Sequence, residues 1–242
     1  MHRGCSILKN QVETIDCIRI RNRTRTQENE VVATESNLAL YVDDAFVTEF
    51  QYSTGLDDCL VYGHLLTSGR ISNKKEIKSL IIDGVECRVN LANRITPRIY
   101  QVNKQKFVTF DKILEIRDLL LENQTHHRAT RGFHGAVLYD LSTDQWFACE
   151  DIGRHNAVDK VIGHGMKEDY TLTDSVLLLS GRLLSNIVSK GILSGIPVIS
   201  SMTVSSNEGI QISRKHNRTL IGCLSDEGCW LYHEGVIKII LE

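Results

Sequence analysis

The sequence predicts an α/β protein in which a small β-rich subdomain precedes a larger layered α/β domain with a mostly central sheet. Three observations carry this. The first third of the chain shows period-2 apolar alternation around short turns. From Phe133 onward, short apolar strands alternate with helical stretches. Between them Ala92 to Lys106 has a Pro, four basic residues and little periodicity, the mark of an exposed loop, so the division falls at 1–105 and 106–242. A chain of 242 residues buries roughly 70–75% of its unfolded surface, enough for a core without staples. Its 42% apolar and 24% charged residues, with 17 Gly and two Pro, are those of an ordinary globular protein. Lys and Arg number 28 against 30 Asp and Glu, a formal charge of -2, which gives no support to a general nucleic-acid binder.

The longest apolar runs, Ser175 to Leu179 and Val236 to Leu241, fall far short of the ~20 residues of a membrane-spanning helix. The first seventeen residues lack an apolar signal core, so a cytoplasmic location is expected. Seven cysteines, scattered and without CxxC, are expected as reduced thiols that mostly pack as small apolar groups.

Taken in order, Arg19, Arg21, Arg23 and Arg25 recur at every second position. On an extended segment they would line one edge, as a charge-protected strand or as an anion-binding strip. Val31 to Phe50 alternates around Asp43-Asp44 and reads as a hairpin with an acidic turn. Leu56, Leu60, Gly63 and Leu66 fall at helical spacing behind Ser53 and Thr54. Strands follow at Leu80–Ile82 and Val85–Leu91, joined by Asp83-Gly84. Ile113, Ile116 and Leu120 share one face of a helix that has Asp111 near its start. Strands are then expected at Ala136–Asp140, Trp146–Glu150, Val176–Leu179, Val198–Ile199 and Leu220–Cys223. Helices are expected at about 154–165, 183–194 and 206–215. A last hairpin, Cys229 to Leu241, would turn at His233-Glu234-Gly235.

The segment Cys149 to Gly163, CEDIGRHNAVDKVIG, carries the most chemistry. A strand meets an acidic pair, Gly153 lets the chain turn, and a helix opens at Arg154. Ala157, Val158, Val161 and Ile162 form its buried stripe. His155 with Asp159, and Asn156 with Lys160, then stand at i,i+4 spacing on other faces. Free helix-terminal amides beside an arginine suit a phosphate; the same residues also suit a capped helix with surface salt bridges. A second corner of the same design is Ser180-Gly181-Arg182. Ser200 to Gly209 and Ile221 to Asp226 end the third and fourth strands. In open α/β sheets ligands collect at such ends, so the corners could line one polar pocket.

The run Cys149 to Gly163 resembles the signature of the FdhD/NarQ family, the formate dehydrogenase accessory sulfurtransferases. STGLDDCLVYGHLLTSGRI (53–71), TRGFHGAVLYD (130–140), SGR (180–182) with Lys190, and LIGCLSDEGCWLY (220–232) are similar to further stretches of that family, in the same order. The resemblance implies a cytidine-deaminase-like α/β domain, usually in a homodimer. It implies sulfuration of the molybdenum bis(molybdopterin guanine dinucleotide) cofactor, with a cysteine desulfurase and formate dehydrogenase as partners. The residues it places at that guanine-nucleotide ligand are His134, Gly153, Arg154, His155, Asn156, Asp159, Lys160, Ser180, Gly181 and Arg182, with the segment Cys223, Leu224, Ser225, Asp226, Glu227 and Gly228. Asp159 is expected to orient the His155 ring.

The family's sulfur travels on a CxxC in the loop that corresponds to Ala92–Lys106, and here that loop has no cysteine. Cys87, Cys149 and Cys223 are the substitute candidates, of which Cys149 and Cys223 lie nearer the arginine corners. Glu150 and Asp151 count against Cys149, since adjacent carboxylates raise a thiol's pKa. The chain also has Leu184 and Asn186 where the family has Ser and Glu, Ser205 for Pro, and Ser225 for Arg. Two readings remain open: a sulfur carrier with a substitute cysteine, or a cofactor-binding chaperone that has lost the carrier thiol. A zinc deaminase would need His or Cys two residues before its Glu and then PCxxC. Neither pattern occurs, and no zinc is expected.

Overall fold

The computed structural model describes residues 11–92 and 106–241. The chain opens with β1 (Val12–Arg21) and β2 (Thr24–Ala33), then β3 (Ser36–Val42), β4 (Ala45–Tyr52), α1 (Asp57–Thr67), β5 (Ile77–Asp83) and β6 (Glu86–Leu91). After the undescribed stretch, on which the expected loop mostly falls, come β7 (Lys106–Thr109), α2 (Phe110–Asn123), α3 (Thr125–Thr130), β8 (His134–Asp140) and β9 (Gln145–Asp151). The remainder is α4 (Arg154–Lys167), β10 (Ser175–Leu179), α5 (Ser185–Leu193), β11 (Val198–Ser201), α6 (Asn207–Lys215), β12 (Thr219–Ser225), β13 (Gly228–His233) and β14 (Ile237–Ile240). This is a mixed α/β protein with several sheets. A six-stranded sheet, β13-β12-β11-β10-β8-β9, is joined by a four-stranded one, β4-β3-β6-β5, and two ribbons, β1-β2 and β14-β7.

The centre of the large sheet is buried on both faces, which is why β10 reads as an unbroken apolar run. Leu177 and Leu179 enter one core with Val158, Ile162, Leu60 and the small sheet's Leu38 and Leu40. Val176 and Leu178 enter the other, with Ile113, Ile116 and Leu120 of α2. The small sheet and the large one therefore share a core, with α1 crossing α4. That crossing is very close: a Cβ at Gly163 would lie 1.9 Å from the Cys59 carbonyl oxygen, and one at Gly63 would lie 1.8 Å from that of Asp159. Two glycines let the helix backbones touch.

Two strand expectations change. Asn22 and Arg23 both adopt left-handed φ, 50° and 64°, so the arginine strip folds into the turn of the β1–β2 hairpin instead of running along one edge. Val31–Ala33 consequently belongs to β2, and the Asp43-Asp44 hairpin begins at Ser36. At the other end β13 and β14 do not pair. β13 adds antiparallel to β12, while β14 lies parallel to β7. Ile237 is fully buried in the α2-side core, and reaching it takes the chain away from the sheet edge.

Candidate functional site

Four strand ends meet on one edge of the large sheet. β10, β11 and β12 are parallel, and β9 runs with them because β8 is antiparallel to both β9 and β10. The start of β8 lies at the same edge, His134 pairing with Asp151.

The first corner is organised by Asp151, which is fully buried. One carboxylate oxygen accepts from the Gly153 amide (2.8 Å) and the Asn156 side chain (3.0 Å). The other accepts from the Ser53 amide and hydroxyl (3.3 and 3.2 Å) and meets Lys160 Nζ at 2.7 Å. A Cβ at Gly153 would sit 2.6 Å from the side-chain amide nitrogen of Asn156, so a larger residue there would displace the side chain that Asp151 holds. α4 then starts at Arg154. The second corner abuts it: a Cβ on Gly181 would be 3.2 Å from Arg154 Cβ and 3.7 Å from His134 Nδ1. The Ser180 hydroxyl accepts from the Gly135 amide at 3.0 Å. Ser201 donates to the Gly181 carbonyl at 2.6 Å and the Leu183 amide to that of Val204 at 3.0 Å, tying in the third corner. The fourth is held by the Cys223 amide on the Thr203 carbonyl, 2.9 Å. Cys223 has a left-handed φ of 51° at a bulge in the β12–β13 ladder.

A cleft of about 470 Å³ opens between the first corner and the small sheet, lined by Thr48, Glu49, Phe50 and Gln51 of β4, His64 of α1, His134, Ile152 to Asn156, Asp159 and Lys190. Arg154 Nε is buried and has no hydrogen-bond partner among the described residues. Burial first, then Arg154, His127 and Arg182, keep the His134 imidazole below its ordinary pKa. Burial, Lys190 and Arg154 do the same to His155. Both rings are therefore neutral near pH 7. Burial pushes the Asp159 carboxyl up, but Lys190 and His64 outweigh it and hold the group below the usual range. Asp159 meets Lys190 Nζ at 2.7 and 2.8 Å and accepts from Thr67 at 2.7 Å.

Several expected site residues are placed differently. Asp159 is engaged by Lys190, Thr67 and His64, and His155 Nε2 lies 3.3 Å from the Asn186 side chain, so Asp159 does not orient His155 as expected. Asn156 and Lys160 share Asp151 as their partner. Lys160 is fully buried, and donates also to the Ser53 carbonyl at 2.7 Å. These polar groups of α4 lie inside because α1 and β4 cover them. Arg182 is exposed at the second corner. Leu224 is buried in the α2-side core. Asp226 is bound by Arg117 at 2.6 Å, and Ser225 to Gly228 form the tight β12–β13 turn, at the fourth corner and outside the cleft. Of the candidate thiols, Cys87 and Cys149 are buried in β6 and β9, and Cys223 is partly exposed; burial, then Asp57, pushes Cys87 to about 11. Sequence reasoning missed Glu49, Gln51 and His64 as cleft residues. Alternation marks the first two as outward on β4, but nothing local says what they face.

Among the described residues no group of His, Cys, Asp and Glu forms a metal site, and no helix is long and apolar enough to cross a membrane. Fold and edge together define an α/β protein with arginine and histidine gathered at its strand ends. The chain belongs to the FdhD/NarQ family, whose profile matches residues 96–236. It is 32% identical over 247 aligned residues to the sulfur carrier protein FdhD of Sulfurisphaera tokodaii, covering 92% of this chain and 97% of that one. It is 27% identical to that of Sulfolobus acidocaldarius, covering 88% and 92%. Its fold matches, with a TM-score of 0.81 and 24% identity over 92% of this chain and 97% of the other, a Desulfotalea psychrophila protein described as a formate dehydrogenase accessory protein.

Proposed function

We propose that this chain is an accessory protein for formate dehydrogenase that holds the molybdenum bis(molybdopterin guanine dinucleotide) cofactor, its cargo, at the strand-end edge and supports its sulfuration. In this reading the large sheet with its helices is the cytidine-deaminase-like layer, and the protein acts as a homodimer. The observation that carries it is the contact of Arg154, Gly181 and His134, which brings the first two corners to one place. The fit to a diphosphate is chemical: Arg154 has a buried nitrogen without a partner among the described residues, Arg182 stands at the next corner, and the α4 amides open toward the same edge. Neutral His134 can donate one N–H without adding charge. Of the cleft's two carboxylates, Asp159 is paired with Lys190 and Glu49 on the rim opposes an anion, which favours seating phosphates on the Gly181 side of Arg154.

Sulfur received from a cysteine desulfurase needs an accessible thiol. Burial of Cys87 and Cys149 leaves the partly exposed Cys223 as the candidate on this edge. The same burial, together with a loop that lacks cysteine, favours the second reading, a cofactor-binding chaperone without a carrier thiol. Guanosine diphosphate titrated calorimetrically into the protein tests the pocket. Arg154→Ala and Arg182→Ala should each weaken binding by about 1.5–3 kcal/mol, the worth of a charged hydrogen bond; unchanged affinity in both overturns it. Incubation with a desulfurase and cysteine, followed by intact-mass measurement of wild type and Cys223→Ser, separates the readings. An added sulfur lost in Cys223→Ser supports the carrier, and none in either supports the chaperone.

A further inference from the structure

The β1–β2 hairpin is unaccounted for by the cofactor site. Its two ten-residue strands pair along their whole length, are anchored at the base by the Thr34 amide on the Gln11 carbonyl (2.9 Å), and are exposed almost throughout. An isolated two-stranded hairpin is marginal in water. This one also leaves Ile15, Ile18 and Ile20 at 41, 51 and 68% exposure. Side chains alternate across a strand, and directly opposite residues share a face. One face therefore carries Glu13, Ile15, Cys17, Arg19 and Arg21 from β1, opposite Val32, Glu30, Glu28, Thr26 and Thr24 from β2. Its charges are sorted: Glu13 and Glu30 lie toward the base and Arg21 toward the tip, while Arg19 and Glu28 between them form an ion pair within the hairpin at 3.1 Å, with Ile15 and Cys17 on the same face.

We infer that two copies of the chain pair through this face, the arms lying antiparallel with the basic tip of each against the acidic base of the other. A surface that is acidic at one end and basic at the other is complementary to itself after a half-turn, which is what a two-fold interface demands. The same half-turn sets Arg21 of each copy against Glu13 of the other, puts the two Cys17 side chains at the centre and lays Arg19 of each over Ile15 and Glu30 of the other, which removes Ile15 from water. A polyanion would be drawn to Arg21 but repelled by Glu13 and Glu30, and it offers nothing to the isoleucine. The inference rests on the homodimer reading above and adds where the contact lies.

Sedimentation of the full chain at micromolar concentration tests it, with the Arg19→Glu/Arg21→Glu and Glu13→Arg/Glu30→Arg variants alongside and circular dichroism to verify their fold. The wild type should be a dimer whose dissociation constant rises from 0.1 to 1 M salt, as the screening length falls from about 10 to about 3 Å. Each variant alone should dimerise about 10- to 100-fold more weakly, because like charges then face one another. Mixed in equal amounts, the two should recover wild-type affinity, which a merely damaged hairpin would not do. A wild type that stays monomeric overturns both the homodimer and the arm contact. A dimer indifferent to both variants leaves the homodimer standing and overturns the arm. A monomer that instead binds an oligonucleotide through Arg19 and Arg21 assigns the tip to a polyanion and refutes the inference.

Discussion

Gly163→Ala sets two opposed effects against each other, so the sign of its outcome is informative. In an open helix the substitution stabilises by about 1 kcal/mol, because alanine loses less backbone freedom than glycine. Here the added Cβ would stand 1.9 Å from the Cys59 carbonyl oxygen and 2.7 Å from the Gly63 amide nitrogen. A carbon meets a carbonyl oxygen comfortably at about 3.3 Å, so α1 and α4 must separate by roughly 1.4 Å. Overpacking of this kind costs about 1–3 kcal/mol, and the obstacle is helix backbone, which cannot rotate aside. The upper end applies, and the net effect should be a loss of about 2 kcal/mol in urea unfolding. Gly63→Ala meets Asp159 at the same crossing. Once the helices have moved apart for one methyl, the second costs little, so the double variant should lose much less than the sum. α4 carries Arg154, so guanosine diphosphate affinity should fall together with stability. A Gly163→Ala protein more stable than wild type, or strict additivity of the pair, would refute the close crossing.

Lys160→Met leaves Asp151 charged and unpaired in the interior and should cost about 3–5 kcal/mol, whereas a joint Asp151→Leu/Lys160→Met change should recover part of that in thermal unfolding. Burial depresses His164, as it does His134 and His155, and His164 stacks on Phe147 at 3.6 Å. Between the lowered folded value and the ordinary 6.5, the unfolded chain binds protons that the folded one refuses, so stability is present above that window and lost as pH falls through it. Urea midpoints at pH 7.5 and 5.5 should show the decline, and His164→Phe should flatten it. Thiol labelling near pH 7.5 should reach Cys223 well before Cys87 or Cys59, whose pKa values burial pushes to about 11 and about 12. Fast labelling of Cys87 in the folded protein would contradict its place in β6.

Most strands and helices were legible because each has one dominant signal: alternation for β3 and β4, helical spacing of Ile113, Ile116 and Leu120 for α2, an unbroken apolar run for β10. The β1–β2 ribbon was not. It has no buried face, so no hydrophobic pattern marks it, and its turn places Arg23 in a left-handed conformation that sequence gives no reason to expect of arginine. The C-terminal hairpin failed for the opposite reason. His233-Glu234-Gly235 has good turn chemistry, but local chemistry does not say that the next strand is claimed by β7 across the α2-side core.

The site divides along the same line. The glycines and arginines of the corners were readable because a turn after a strand and a donor beside a helix start are local facts. The partners of Asp159 and Lys160 were not, since i,i+4 spacing names only neighbours on the same helix. Which neighbour wins depends on what packs on that helix, and α1 and β4, a hundred residues earlier, pack there. The glycine pair brings α1 onto α4, and α1 brings His64 and Thr67 to Asp159. Thus the residues that look most like a polar surface become the buried frame that fixes the corner. Beside framing groups such as Asp159 and Lys190, the cleft is lined by side chains the frame does not use, Arg154 and Glu49 among them. Asp151 and Lys160 neutralise each other within that frame, as Asp159 and Lys190 do, which leaves the Arg154 guanidinium as the cation that the corner presents.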